Sequence, residues 1–132
     1  MSKISIVAKV FLVIVGLAFL NVAVQAFINP QTVMDFVSVK LENTSARNST
    51  RAFYGGVNLT FALFLIYGAF KMQKEALILA SLYGGGFVIG RLYSILMEGQ
   101  PSTFILTWLT IESFLTLGSL ILLIELKKQK LL

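Results

Sequence analysis

The sequence predicts an all-α fold, an integral membrane protein built as an antiparallel four-helix bundle. Three observations carry that prediction. Four apolar runs divide the chain, each ~20 residues long, the length that spans ~30 Å of hydrocarbon at a 1.5 Å rise per residue. The 132 residues are 57% hydrophobic and 13% charged, about half the charged share of a soluble domain. The mean hydropathy is +0.85. The charges gather near the ends of the runs or in the loops between them, and two lie deep inside runs, Arg91 and Glu112. One domain, 1–132, fits the length.

The elements follow in order. The first run covers about 4–27. Its end, Val24-Gln25-Ala26, would pass as a signal-peptide cleavage site, but Asn21 and Gln25 form a polar pair where a signal would be apolar. An outer loop, 28–50, follows. Asn29-Pro30 reads as a helix N-cap with Pro at the first helical position. Val33, Met34, Phe36, Val37 and Leu41 then make one mostly apolar face, with Asp35, Ser38 and Lys40 as polar positions. A short interfacial helix on the outer leaflet fits this pattern; an ordinary structured loop is the alternative. Glu42 to Thr50 is polar and is expected to be mobile. Asn43-Thr44-Ser45 and Asn48-Ser49-Thr50 are formal glycosylation sequons of low specificity. The remaining runs cover about 51–70, 76–96 and 104–124.

The lysines set orientation. With four spans, Lys3, Lys9, Lys71, Lys74, Lys127, Lys128 and Lys130 fall on one side. Lys40, Arg47 and Arg51 lie on the other. The positive-inside rule then puts both termini and the Lys71–Glu75 turn in the cytoplasm. The net charge of +5 therefore reads as topology and headgroup contacts. No basic stripe interleaved with aromatics marks a nucleic-acid partner. There is no cysteine and no histidine, which removes disulfides, thiol chemistry, Cys/His zinc, iron–sulfur clusters and axial haem histidines. No cofactor and no metal is expected.

Depth counting singles out a layer. Asn21 lies eight residues before Asn29, Asn58 seven after Arg51, Arg91 seven before Glu98, and Glu112 nine after Thr103. At 1.5 Å per residue each is ~10–14 Å in from the outer boundary. Four helices thus each place one strongly polar residue at a similar depth. Gln25 sits one turn above Asn21. Arg51, Tyr54 and Asn58 follow i, i+3, i+7 spacing, as do Arg91, Ser94 and Glu98. Trp108, Glu112, Thr116 and Ser119 share a face of the fourth helix. A charge in mid-membrane costs roughly 2.5–3.5 kcal/mol on insertion scales, so it faces a partner or a wet cavity. Arg91 and Glu112 have opposite sign and are expected to approach within hydrogen-bonding or water-bridged distance. One reading makes them structural glue between helices. The other makes them part of a ligand or transport site, with the polar stripe opening outward.

Glycines form the second signal. Gly55 and Gly56 open the second helix, and Gly86-x-x-x-Gly90 in the third is a small-residue packing motif. Tight helix packing, dimerisation, or room for a ligand beside Arg91 all fit.

Arg51-Ala-Phe-Tyr-Gly-Gly, Gly90-Arg91-Leu-Tyr-Ser, Glu98-Gly-Gln-Pro101 and Glu112 resemble a bacterial family of small four-helix membrane proteins known only as a domain of unknown function. The resemblance covers nearly the whole chain. It implies a four-helix membrane bundle and singles out Arg51, Tyr54, Gly55, Gly56, Gly90, Arg91, Gly99, Pro101 and Glu112. It implies no activity. A looser, fold-level likeness extends to DoxX-like proteins and to membrane scaffolds of sterol synthesis.

The expected function is binding of a small amphiphile or lipid, or docking of a membrane partner or a second copy of the chain, through an outer-facing polar pocket. Arg91 would hold an anionic group and Glu112 would orient it. Asn21, Asn58 and Tyr54 would supply hydrogen bonds, and Arg51 would guard the mouth. A proton-coupled transporter titrating at Glu112 is the alternative, and a purely structural subunit a further one. The inner halves of the helices are nearly apolar, which counts against transport. No nucleophile–base pair is present, so no enzyme is expected. The expected location is the bacterial cytoplasmic membrane.

Overall fold

The computed structural model describes residues 1–130. The last two residues of the 1–132 domain lie outside the described residues. The elements are α1 (Lys3–Ile28), α2 (Pro30–Asp35), α3 (Thr44–Thr50), a π-helical segment (Arg51–Val57), α4 (Asn58–Lys71), α5 (Gln73–Glu98) and α6 (Thr103–Lys130). No strand occurs among the described residues. The segment Thr44–Lys71 is one continuous helical rod, so four helices are long and apolar enough to cross a membrane. Large apolar side chains cover their surfaces: Leu82, Ile89 and Phe114 are each 70–72% exposed. Such a surface, on helices of this length, suits a lipid surrounding. The chain is an all-α membrane protein. Its chain contacts divide into two units, Lys9–Lys71 and Met1–Ala8 with Met72 onward.

In the Lys9–Lys71 unit, α1 and α4 run antiparallel. Lys9 Nζ stands 5.0 Å from the Phe70 ring centroid. Phe19 meets Phe61 edge-to-face at 5.0 Å. Paired residue numbers keep a nearly constant sum, the mark of an antiparallel pair. Gly16 permits the closest approach. A Cβ there would lie 2.6 Å from Ile66 Cγ1 and 3.1 Å from the Ala62 carbonyl oxygen. Absence of a side chain is what lets these backbones meet, the usual role of small residues between membrane helices.

The connecting segment of this unit differs in part from expectation. Asn29 does cap α2: its Oδ1 accepts from the Gln31 N–H at 3.2 Å, and Pro30 follows at the first turn. The helix ends at Asp35, however, well short of Leu41. Ser38 adopts φ +58°, and Gln31 closes the turn. Its Nε2 donates to Asp35 Oδ1 (2.7 Å) and the Val39 carbonyl (2.9 Å), while its Oε1 accepts from the Leu41 N–H (2.9 Å).

The stretch 42–50, expected to be mobile, is instead mostly helix. The Asn43 side chain is the reason. Its Oδ1 accepts from the Ala46 N–H at 2.8 Å, satisfying a first-turn donor, and α3 then runs straight into the second spanning helix. Polar composition hid a helix start that the cap residue signalled.

A second difference follows at once. The chain from Arg51 to Val57 is π-helical, and the Asn58 N–H reaches the Phe53 carbonyl five residues back. Each residue of a π turn advances less around the axis than in an α-helix. The buried positions accordingly step by five from Thr50 to Gly55, then by three to Asn58. The i, i+3, i+7 stripe expected for Arg51, Tyr54 and Asn58 is therefore not a straight α-helical face.

In the other unit, α5 and α6 form an antiparallel hairpin. Gly99 ends α5 at φ +92°, a conformation that favours glycine, and its N–H bonds the Ile95 carbonyl. Ala76, Leu77, Ala80 and Gly84 are buried on α5, and Glu112, Leu115, Ser119 and Leu122 on α6. These spacings of three and four make one stripe on each helix. Ser5, near the start of α1, is tied to the start of α5. Its hydroxyl donates to Gln73 Oε1 at 2.8 Å, and Gln73 Nε2 donates to the Ser5 carbonyl at 2.9 Å. The chain start and the end of α6 thus share one end of this unit, the end that carries Lys3, Lys74, Lys127, Lys128 and Lys130.

Candidate functional site

The hairpin register brings Arg91 opposite Glu112. Gly84 seats α5 against Leu115 and Thr116 of α6. Two turns farther along α5, the guanidinium reaches the carboxylate. Arg91 Nε donates to Glu112 Oε2 at 2.6 Å, and Nη2 donates to Oε1 at 2.8 Å. This is the bidentate fork that matches guanidinium to carboxylate. The Glu112 side chain is 7% exposed and that of Arg91 23%. Phe87, one turn before Arg91, presents its ring 5.7 Å from the guanidinium carbon, within cation–π range. The expected approach of Arg91 to Glu112 is therefore direct.

A groove of about 700 Å³ runs alongside, formed wholly within this unit. Leu82, Tyr83, Phe87 and Ile95 of α5 line it, with Pro101 and Ile105 at the turn into α6. Gly86, Gly90, Ser94 and Arg91 itself also face it. Its wall is mostly apolar, and the partly exposed guanidinium is its one charged group among the described residues.

The glycines correct the packing expectation. A Cβ at Gly86 or Gly90 would meet nothing within 4 Å, and the same holds at Gly56. These three make no close helix contact within their own units. Gly84 does: a Cβ there would lie 2.5 Å from Thr116 Oγ1, which is itself fixed by donating to the Glu112 carbonyl at 2.8 Å. Gly55 is buried and packs on the Phe27 ring, as a Cβ at 3.2 Å from Phe27 Cε2 would register. Gly86 and Gly90 instead keep the groove open beside Arg91.

The other expected site residues fall in both units. Ser94 and Glu98 extend the α5 polar face toward the end of the helix, the Ser94 hydroxyl donating to Glu98 Oε2 at 3.3 Å, both exposed. Thr116 and Ser119 turn back on their own helix, Ser119 donating to the Leu115 carbonyl at 2.7 Å, which satisfies them locally. Asn21, Gln25, Arg51, Tyr54 and Asn58 belong to the Lys9–Lys71 unit. Asn21 is exposed, so its expected place in a buried layer is not met. Depth counting fixed its height and not its face: nine residues from buried Leu12 turn a helix through about 180°. Gln25 and Tyr54 are half-buried and Asn58 is buried. Arg51 Nε donates to the Phe27 carbonyl at 3.1 Å, joining the π segment to the end of α1. Arg47, not singled out from sequence, donates through Nη2 to Asn29 Oδ1 at 3.2 Å.

Sequence reasoning also passed over Phe87, and it read Gly84 only as one member of the glycine run 84–86. Phe87 carried a readable signal, since i−4 on a helix is the neighbour of Arg91. Gly84 carried none, because only the hairpin register selects one glycine from the run 84–86.

A family model described as Domain of unknown function (DUF4345) matches residues 7–123. The match includes the Arg91–Glu112 pair and most of the four long helices. No curated protein matches the chain, and no solved structure does.

Proposed function

The chain belongs to this family of unknown function, and from that premise and the site geometry we propose that it binds an amphiphile or lipid, or docks a membrane partner, in the groove beside Arg91. The observation that carries the reading is the junction of two features. A guanidinium fixed by a bidentate carboxylate lies at the edge of an open groove whose walls are apolar. Apolar walls with few fixed polar groups are the usual make-up of a small-molecule site, and 700 Å³ lies in the usual range of 300–1,000 Å³. Arg91 supplies donors to a polar head, Glu112 fixes the guanidinium plane, and Ser94 extends the polar edge. The tail lies along Leu82, Tyr83 and Phe87. This is a binding role and not a catalytic one.

The lysine-rich ends of the helices support a cytoplasmic location of both termini, with the groove in the outer half of the membrane. The resemblance to small bacterial membrane proteins supports the bacterial cytoplasmic membrane as its place. Partners of this reading are membrane lipids, an amphiphilic ligand, and a second copy or another membrane protein; nucleic acid is not among them.

Native mass spectrometry of wild type and an Arg91→Met/Glu112→Leu double variant, purified alike, tests the proposal. Wild type should carry a bound amphiphile and the double variant should fold without it. Equal occupancy in both, or none in wild type, removes the role given to Arg91.

A further inference from the structure

We infer that the head group taken beside Arg91 is an uncharged hydrogen-bond acceptor, an ester, ketone or alcohol oxygen on a single-chain amphiphile, and not an anion. The inference rests on the reading that the groove binds an amphiphile, and it replaces the anionic group that a lone arginine would suggest.

Charge is the first argument. Arg91 and Glu112 form a pair of zero formal net charge, with both carboxylate oxygens engaged. An anion approaching the exposed part of the guanidinium would stand a few Å from a fixed carboxylate. In a low-dielectric surrounding that repulsion is scarcely screened. The anion would also give up its hydration with no counter-ion left for it. A neutral oxygen avoids both penalties. It can still accept from a guanidinium, which offers donors and no acceptor. A cationic head would meet Arg91 first.

Depth is the second argument, independent of the first. Helix α5 has 26 residues, so it is ~39 Å long. Centring it in the bilayer puts Arg91 ~8 Å from the midplane, well inside the ~15 Å half-thickness of the hydrocarbon. A phosphate held there would sit below the level at which lipid phosphates lie. Groove length agrees with one chain: Leu82 to Ile95 spans ~20 Å of helix.

The test uses two ligands that differ by one group. Monooleoylglycerol and oleoyl lysophosphatidic acid share chain and glycerol and differ by a phosphate. Each is titrated against the full-length protein in a nonionic detergent and read by native mass spectrometry. Wild type should take monooleoylglycerol more tightly by about tenfold or more. Glu112→Gln keeps an acceptor for Arg91 but leaves the guanidinium charge uncompensated, so it should reverse the order. Equal or tighter binding of the lysophosphatidic acid by wild type overturns the inference, whether or not the variant folds. A reversed order absent from a folded Glu112→Gln protein overturns it too. Binding of neither ligand by wild type overturns the amphiphile reading beneath it.

Discussion

Removing one member of the Arg91–Glu112 pair should destabilise the protein far more than removing both. Arg91→Met strips both charge-assisted hydrogen bonds, 2.6 and 2.8 Å long, from a carboxylate whose side chain is only 7% exposed. A buried charge left without its partner costs about 3–5 kcal/mol. Glu112→Leu strands the guanidinium instead. That side chain is longer and 23% exposed at the groove, so it can extend toward the membrane surface, which reduces the loss to about 2–3 kcal/mol. The double change leaves two apolar side chains and no stranded charge, and should cost only about 1–2 kcal/mol. The singles therefore sum to roughly 5–8 kcal/mol, and the cycle should return a coupling of at least about 3 kcal/mol. Unfolding in mixed micelles by titrated dodecyl sulfate supplies the free energies. Trp108, the one tryptophan and one turn from Glu112 on α6, is the reporter. Additive single effects would refute the reasoning, because they would mean that the two residues share no interaction energy.

Other outcomes follow from the same geometry. Gly84→Ala should destabilise the hairpin by about 1–3 kcal/mol through overpacking against Thr116, whereas Gly86→Ala and Gly90→Ala should be neutral or slightly stabilising; thermal melts of the three variants check this ordering. Asn43→Ala should cost about 1 kcal/mol locally by removing the cap of α3, seen as faster amide exchange at Ala46 and Arg47 with the rest of the chain unchanged. Single cysteines at Ser2 and Ser45 should label from opposite sides in intact cells, Ser45 accessible to an impermeant reagent and Ser2 protected; the reverse pattern would invert the orientation.

Much of this fold was legible because a bilayer demands so little ambiguity from a sequence. Runs of ~20 apolar residues have few alternatives, all four expected spans lie within long helices, and Asn29 caps the short α2 as its sequence signal indicated. The opposite charges of Arg91 and Glu112 at matching depth gave their pairing. What the sequence did not disclose was rotation about each helix axis. Asn21 has the right depth and the wrong face. The π segment shifts the phase of the second spanning helix between Arg51 and Asn58, and the α-helical spacing written in the sequence offers no sign of it. Gly84, rather than the paired Gly86 and Gly90, makes the close contact, since only the packed register selects among adjacent glycines. Asn43 was visible but was read as a sequon, when its side chain serves the backbone of its own helix.

The most direct test of the central claim fills the groove without touching the charges. A Cβ at Gly86 meets nothing within 4 Å, and Gly86 lines the groove beside Arg91. Gly86→Leu should therefore fold with wild-type stability and keep the Arg91–Glu112 pair, while its side chain occupies the space assigned to the ligand. Native mass spectrometry should then show bound amphiphile on wild type and its loss on the variant. Unchanged occupancy on a folded Gly86→Leu protein would contradict the account.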